Sequence, residues 1–298
     1  MNYPRDQHLP AVQEFLRQQV ANQDWEMARP PHGTGQETYF ASGSSGEVFI
    51  KLGARVELYQ AAAQLGLAPP VIRTGQLEDG TTILVQALLR GRKPSRADFH
   101  CHLGQFAESL RILHNSEALQ LLLPPRSSDQ YRHVGLEMLA GVEQRWQAVA
   151  PGLPLPVVKY VEERIAYLRD CLAQFQGGGL AASHNDPCNA NWLVTEEGRI
   201  FLLDLEAMGQ DDPALDLGAV LWWYYPPALR SQFLALAGCP EDAAFRERMR
   251  VRMAIHNLHI LLPRPGSFDR FDPDSFAADL VDFQAVVEGR ENPQGYLD

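Results

Sequence analysis

Residues 184–191 read HNDPCNAN and residues 202–206 read LLDLE, and these two segments carry the strongest pattern in the 298-residue chain. The sequence between them predicts two short strands that turn at a Glu-Gly pair. A hairpin returns the chain close to its start, so Asn191 and Asp204 are expected to lie near each other although Asp204 is thirteen positions beyond Asn191. The two segments therefore predict a polar site at the open end of a hairpin.

The residue types in this pattern indicate a site for a divalent cation. A carboxylate from Asp204 and an amide oxygen from Asn191 suit Mg²⁺, which prefers hard oxygen ligands, keeps several waters and accepts phosphate oxygens. Asp186, five positions before Asn191, is placed to accept the proton of an attacking hydroxyl. The alternative is that Asp and Asn occur here because they favour turns. The LLDLE segment at this offset favours the metal site.

A Gly/Ser segment upstream predicts a phosphate-binding turn between two strands, because such a turn exposes backbone N–H groups. The residues expected to bind phosphates in this way are Ser42, Gly43, Ser44 and Ser45. Lys51, late in the second strand, is expected to reach the same phosphates, and Glu57 on the next helix to form an ion pair with Lys51. By itself the SGSSG segment also fits a plain hairpin turn.

The order of predicted elements divides the chain into two parts. The first 90 residues or so predict a helix, two strands, a helix and two more strands, and the remainder is mainly helical apart from the hairpin. The helices with the clearest apolar spacing are expected at residues 11–20, 57–67, 97–115 and 158–175. We expect an α+β protein with a small lobe (1–88) and a larger helical lobe (89–298), and ligand sites usually form in the cleft between such lobes.

Composition and charge exclude several classes of protein. The formal net charge of −11 disfavours nucleic acid as the main partner. No apolar stretch approaches the ~18 residues that a membrane span needs, and the first residues lack the pattern of a secretory signal. The four cysteines are far apart and form no C-x-x-C pair, which fits a reducing compartment. We expect a soluble cytoplasmic protein.

The two leading segments resemble the catalytic region of the aminoglycoside phosphotransferase and choline kinase family. The H-x-D-x-x-x-x-N motif of that family is matched at His184, Asp186 and Asn191. Its second metal-binding aspartate, in a D-x-E form, is matched at Asp204 with Glu206. The proteins of this family are small-molecule kinases.

Two further stretches are similar to the same family. Its D-P-x-x-D-L motif is matched by DPALDL at residues 212–217, and its L-x-x-L-H motif by LRILH at residues 110–114. The resemblance covers roughly residues 38–225. It implies a bilobal protein-kinase-like fold, with a small antiparallel-sheet lobe at the N-terminus and a helical lobe at the C-terminus.

The resemblance also implies a role for each matched residue. Asp186 would orient and deprotonate the acceptor hydroxyl, while Asn191 and Asp204 would bind Mg²⁺. Lys51, paired with Glu57, would bind the phosphates of ATP or GTP. The backbone of the connector at Gln86, Ala87 and Leu88 would bind adenine, and His184 and Asp216 would support the catalytic loop. Catalysis of this kind consists mostly of positioning and charge neutralisation.

The acceptor is expected to be a small cationic molecule bound by the helical part. The candidate contact residues are Glu206, Trp222, Trp223 and Tyr225, because aromatic faces attract quaternary ammonium groups. Core packing is an equally good explanation of the aromatic run. The acidic stretch at residues 269–282 would suit polyamines, although a solvated helix face also explains it. The leading interpretation is an aminoglycoside phosphotransferase-like enzyme, and the alternative is a choline, ethanolamine or thiamine kinase-like enzyme.

Three other classes fit the sequence less well. A protein kinase would carry Arg at Asn185 and Gly at Glu206, and eleven positions between Asp204 and Asp216 are too few for an activation segment. A pseudokinase-like nucleotide-binding protein would keep the fold without turnover. A metal-dependent hydrolase built on the downstream carboxylates would leave Lys51 without a role.

Overall fold

The computed structural model describes residues 7–30, 37–240 and 242–294. The chain forms two compact units. The first comprises Met1–Lys93 and Asn191–Glu206, and the second comprises Pro94–Ala190 and Ala207–Asp298. The predicted α+β class is confirmed, with an antiparallel sheet in the N-terminal part and helices in the C-terminal part. The first unit differs from the expected 1–88 in two respects, because its first segment ends at Lys93 and because Asn191–Glu206 also belongs to it.

Within the described residues the elements follow one another as helices and strands with short connections. The helices are α1 (Leu9–Gln19), α2 (Val56–Gln64), α3 (Arg96–Cys101), α4 (Leu103–His114), α5 (Glu117–Leu122), α6 (Tyr131–Val149), α7 (Leu155–Ala173), α8 (Ala214–Tyr224), α9 (Pro227–Leu236), α10 (Ala243–Leu261) and α11 (Pro273–Val287). The strands are β1 (Glu26–Ala28), β2 (Thr38–Gly43), β3 (Gly46–Leu52), β4 (Val71–Gln76), β5 (Thr82–Ala87), β6 (Gly91–Arg92), β7 (Ala181–Ser183), β8 (Trp192–Thr195), β9 (Ile200–Leu202) and β10 (Gly209–Asp211).

The first unit is built on a five-stranded sheet in the order β1-β2-β3-β5-β4, with all neighbouring strands antiparallel. Ile50 and Leu52 of β3 are buried in a core that also contains Val12 and Leu16 of α1. Successive side chains of a strand point to opposite faces, so Lys51, between those two apolar residues, points away from the α1 core. The sheet pattern thus fixes the direction of this lysine.

The long helix predicted at 97–115 is two helices, α3 and α4. His102 separates them because its backbone leaves the helical region (φ −109°, ψ 24°). Ser95 begins α3 through a capping box with Asp98, a pattern that satisfies two N-terminal N–H groups. The predicted apolar stripe is nevertheless buried as expected, at Phe99, Leu103, Phe106, Leu110 and Leu113.

The second unit packs its helices around α10, whose residues Val251, Met253, Ala254, Ile255 and Leu258 are buried in the main apolar core. Helix α8 approaches α10 closely, because Gly218 faces the Met249 backbone. A methyl group at Gly218 would lie 2.9 Å from the Met249 carbonyl oxygen. Within the described ranges, no helix combines the length and the apolar character needed to cross a membrane.

We predict that Gly218→Ala lowers the free energy of unfolding by about 1–3 kcal/mol, the usual cost of overpacking, because the backbones of α8 and α10 must separate. Gly141→Ala on α6 is the matched control, since nothing lies within 4 Å of the added methyl group. It is expected to stabilise the protein by about 0.5–1 kcal/mol, because Ala is the better helix former. Urea unfolding followed by circular dichroism measures both, and unchanged stability in Gly218→Ala would contradict the close approach.

Candidate active site

Lys51 is buried and lies at the centre of a polar cluster in the first unit. Its Nζ donates to the Tyr59 hydroxyl at 2.8 Å and to Asp204 Oδ1 at 2.7 Å, and it lies 3.3 Å from Glu206 Oε1. Only 5% of Lys51 is exposed. Burial alone would lower the pKa of Lys51, but Tyr59 and the hydrogen bond to Asp204 outweigh that effect and raise it. The lysine therefore carries a full positive charge next to two carboxylates.

The expected ion pair between Lys51 and Glu57 is wrong. Glu57 lies on α2, and the residue of this helix that contacts Lys51 is Tyr59. Positions i and i+2 of a helix lie roughly 200° apart around its axis, so these two side chains cannot face the same neighbour. Nothing in the sequence distinguished Tyr59 from an ordinary core aromatic, and it was therefore missed.

The Gly/Ser turn does not lie beside Lys51. The register of the β2–β3 hairpin pairs Gly43 with Gly46 at the turn and Thr38 with Lys51 at the other end. Five strand positions separate Gly46 from Lys51, which is about 17 Å at ~3.3 Å per residue. The expectation that Ser42, Gly43, Ser44 and Ser45 bind the same phosphates as Lys51 is therefore not supported by the geometry.

The side chain of Gln23 occupies this turn instead. Its Oε1 accepts hydrogen bonds from Ser44 Oγ at 2.6 Å and from the Ser45 backbone N–H at 3.0 Å, and its Nε2 donates to Ser45 Oγ at 2.8 Å. The turn residues thus have partners within the protein. The plain-turn interpretation fits this arrangement better.

The predicted hairpin is present as β8 and β9, which pair Trp192 with Leu202. Beyond that pair, the Leu203 N–H donates to the Asn191 carbonyl at 2.8 Å. Asn191 and Asp204, the residue after Leu203, therefore both lie at the open end of the hairpin. The side chain of Asp204 is 59% exposed. Its φ of 51° is a conformation that costs non-glycine residues about 1 kcal/mol or more. Such strain persists where the surroundings hold it, as Lys51 does here.

The donors at this hairpin suit a hard cation. Asn191 supplies an amide oxygen and Asp204 a partly exposed carboxylate, and Mg²⁺ is bound in proteins by one or two such groups together with substrate phosphates. Among the residues that the structure describes, no group of three or more His, Cys, Asp and Glu side chains is arranged so that it could hold a metal ion.

The loop that carries Asp186 belongs to the second unit and is held by Asp216 of α8. The two carboxylate oxygens of Asp216 accept the backbone N–H groups of His184 at 2.7 Å and Asn185 at 2.8 Å. His114 Nε2 donates to the same carboxylate at 3.0 Å. Asp216 and His184 are both fully buried. This network fixes the backbone immediately before Asp186.

The charge of Asp216 is stabilised in this position. Burial alone would raise the pKa of Asp216, but the hydrogen bond from His114 and the contacts with His184 outweigh it and lower the pKa. Asn185 has a φ of 66°. In the described ranges, Asn185 and Asp204 are the two non-glycine residues with a positive φ. Its Nδ2 donates to the Ala207 carbonyl at 3.0 Å. Both motif segments thus hold a strained residue.

The connector at the end of β5 offers fewer free groups than expected. The side chain of Gln86 is buried and donates to the Pro69 carbonyl at 2.9 Å. The N–H of Ala87 donates to the Pro70 carbonyl at 2.9 Å, and that of Leu88 makes a long bond of 3.4 Å to the Glu47 carbonyl. Of these donors, the Leu88 N–H has the weakest bond within the protein and is the one most available to an adenine base. Binding of adenine here stays a prediction.

The aromatic run does not form a cage of exposed faces. Tyr225 is completely buried and donates its hydroxyl to the Phe99 carbonyl at 2.9 Å, Trp222 is buried in the main core, and Trp223 packs against that core. These three candidate acceptor contacts therefore serve core packing. Tyr224, which was not predicted, is the member that reaches the loop that carries Asp186, because its hydroxyl accepts the Asn189 N–H at 2.7 Å.

Glu206 and the acidic stretch also have structural partners. Glu206 lies beside Lys51, and its carbonyl accepts Arg55 Nη2 at 3.2 Å, so its role toward an acceptor stays a prediction. Asp272 caps α11 by accepting the Asp274 N–H at 3.1 Å. Asp269, Asp274 and Asp279 are exposed, as on an ordinary solvated helix face, whereas Asp282 is buried and accepts a hydrogen bond from Gln294 Nε2 at 2.8 Å.

Comparison with known proteins shows similarity to phosphotransferases. The profile of the phosphotransferase enzyme family (APH) matches residues 26–250, about three quarters of the chain. A choline/ethanolamine kinase family protein from Mesorhizobium loti has a similar structure, with a TM-score of 0.69, 20% identity, and coverage of 94% of this chain and 95% of that one.

Two further solved structures share the fold. The GDP and kanamycin complex of APH(2")-IIia superposes with a TM-score of 0.66 at 14% identity and covers 95% of this chain and 99% of its own. Choline kinase LicA from Streptococcus pneumoniae superposes with a TM-score of 0.61 at 14% identity, covering 92% and 99%. The resemblance inferred from the motifs is confirmed, and the chain belongs to the phosphotransferase enzyme family, whose members transfer phosphoryl groups to hydroxyl acceptors.

Proposed function

We propose that this enzyme transfers the terminal phosphoryl group of ATP or GTP, in the presence of Mg²⁺, to a hydroxyl of a small cationic molecule of the aminoglycoside type. The observation that carries the proposal is the buried Lys51 ammonium beside Asp204, at the end of the hairpin that also carries Asn191. A buried cation next to a partly exposed carboxylate is a suitable binding site for a metal–triphosphate complex, which carries both signs of charge.

Each residue of this cluster has a defined task in the proposal. Lys51 binds phosphate oxygens and holds them in place, since its charge is fixed and its position is set by three partners. Asn191 and Asp204 would hold Mg²⁺, which neutralises phosphate charge when it is bound. The backbone near Leu88 would bind the adenine ring of the nucleotide. We keep residues 1–88, with the added hairpin, as the proposed nucleotide-binding part and the rest as the acceptor-binding part.

Asp186 is the proposed base of the reaction. Its backbone is held because Asp216 binds the two preceding N–H groups. Asp186 is partly exposed, so it can accept a proton from an acceptor hydroxyl in the course of attack. Most of the rate enhancement would come from this positioning and from charge neutralisation. His184 and Asp216 act in the proposal only by holding the loop.

The acceptor is proposed to be cationic because the chain carries a net charge of −11, which attracts cations and repels nucleic acids. The alternative is a choline, ethanolamine or thiamine kinase-like activity. It is favoured by the similarity to the choline/ethanolamine kinase family protein, which has the higher identity and TM-score of the structures compared. The four free cysteines are consistent with the proposed cytoplasmic location.

Asp186→Asn is predicted to lower the turnover number by at least about 100-fold, the usual contribution of a positioned base, while nucleotide binding is retained. Asp170→Asn is the matched control, because Asp170 is exposed on α7 and the substitution makes the same chemical change. Phosphate transfer is followed by ³¹P NMR and nucleotide binding by calorimetry. Full activity of Asp186→Asn would show that Asp186 is not the base, and loss of transfer in both variants would point to a general charge effect.

The acceptor class is tested by thermal shift with Mg²⁺ and nucleotide present. Kanamycin, choline, ethanolamine and thiamine are compared with myo-inositol, which has ring hydroxyls and no cationic group. A true acceptor at 100 times its Kd is expected to stabilise the protein by about 2.7 kcal/mol. A shift with kanamycin supports the leading proposal and a shift with choline the alternative. A shift with myo-inositol alone would contradict a cationic acceptor. Nucleotide binding without transfer to any compound would favour a pseudokinase-like protein.

A further inference from the structure

We infer that Tyr59 is a positioning residue for nucleotide binding, and that its hydroxyl sets the place of Lys51 and of the segment that carries Asp204. The inference rests on the proposed function, because it assigns how the phosphate-binding lysine of that function is held. It replaces the carboxylate partner expected on α2 with a neutral hydroxyl. All the contacts that carry it lie within the first unit.

The Tyr59 hydroxyl joins two parts of the cluster that are far apart in sequence. It accepts a hydrogen bond from Lys51 Nζ at 2.8 Å and a second from the Leu205 backbone N–H at 3.1 Å. Tyr59 is 3% exposed and Lys51 5%, so water does not compete for either bond. The hydroxyl therefore ties the end of the lysine on β3 to the backbone immediately after Asp204.

The ring of Tyr59 supports the same arrangement. Lys51 Nζ lies 5.3 Å from the ring centroid, within the range in which an ammonium and an aromatic ring attract each other. A buried tyrosine has few rotamers, and its hydroxyl is therefore placed by α2 with little freedom. In contrast to a flexible carboxylate, this partner gives Lys51 one well-defined position.

A neutral partner also preserves the charge that phosphate binding needs. Lys51 already has two carboxylate neighbours, Asp204 and Glu206, so the cluster already holds more negative than positive charge, and a third carboxylate would increase its repulsion of phosphates. Burial, although opposed by Lys51, raises the pKa of Tyr59 to about 12, and the hydroxyl stays protonated at neutral pH. It therefore orients the ammonium without neutralising it.

The bond to Leu205 has a second effect, on the strained residue before it. Asp204 has a φ of 51°, and the backbone that follows is held by Tyr59 and by Arg55, whose Nη2 donates to the carbonyls of Leu205 at 2.7 Å and Glu206 at 3.2 Å. Residues of α2 and its N-cap thus keep Asp204 in the conformation that presents its carboxylate. Loss of the Tyr59 hydroxyl would loosen both the lysine and this carboxylate.

The test is a double-mutant cycle of Tyr59→Phe and Lys51→Met, with the affinity for Mg²⁺–ATP measured by calorimetry and by thermal shift for weak binding. Tyr59→Phe keeps the ring and removes both hydrogen bonds, and it is expected to weaken binding by at least about 10-fold, as for the loss of a bond to a charged group. In the Lys51→Met background the same change is expected to weaken binding clearly less than in the wild type, because only its effect on the Asp204 segment remains and interacting residues are not additive.

Tyr39→Phe is the control for the loss of a buried tyrosine hydroxyl in the same unit, since Tyr39 on β2 bonds to Glu37 and is 1% exposed. It should leave the affinity for Mg²⁺–ATP unchanged. The melting temperature of each free variant shows whether it is folded. A merely structural role of Tyr59 would weaken binding equally in both Lys51 backgrounds, and that result would overturn the inference.

The outcomes separate this inference from the function beneath it. Wild-type affinity in Tyr59→Phe, together with a large loss in Lys51→Met, would end the role of Tyr59 and leave the proposed function standing. If Lys51→Met binds Mg²⁺–ATP as well as the wild type does, or if the wild type binds none, the proposed function itself fails. Loss in Glu57→Gln with none in Tyr59→Phe would return the role to the carboxylate.

Discussion

The buried ammonium of Lys51 is the constraint around which the first unit is organised. An uncompensated charge at 5% exposure would cost several kcal/mol, so neighbouring elements must supply partners for it. The sheet directs the lysine away from the α1 core, α2 supplies the Tyr59 hydroxyl, and the end of the β8–β9 hairpin supplies the carboxylates. The same need for neutralisation that shapes this part of the fold suits the cluster to bind a charged ligand.

In the second unit, side chains hold the short loop that carries Asp186, which lacks regular secondary structure. Asp216 satisfies two backbone N–H groups of that loop, and His114 keeps the carboxylate oriented. Helix α8 carries Asp216 and packs closely on α10 because Gly218 lacks a side chain. The position of the loop is therefore linked to the packing of these two helices, and core changes there are expected to affect function as well as stability.

Part of this arrangement was accessible from the sequence and part was not. The motif spacing predicted the hairpin with Asn191 and Asp204, because a turn and two strands constrain the chain locally. The partner of Lys51 was not predictable, since choosing Tyr59 over Glu57 depends on the orientation of α2 against the sheet. The SGSSG segment was misassigned because its composition does not show where the turn lies relative to Lys51. The register of the β2–β3 hairpin places the turn and Lys51 at opposite ends. Tyr225 was misassigned because an aromatic side chain has the same sequence signature in a core and in a site.

The role of Lys51 and the hairpin is tested most directly by a crystal structure with Mn²⁺ and a non-hydrolysable ATP analogue, in which anomalous scattering locates the metal. We expect Lys51 Nζ within hydrogen-bond distance of a phosphate oxygen, and the metal bound by the Asp204 carboxylate and the Asn191 amide oxygen. A nucleotide bound elsewhere, with Lys51 still paired only to protein groups and no metal at Asp204, would contradict this role.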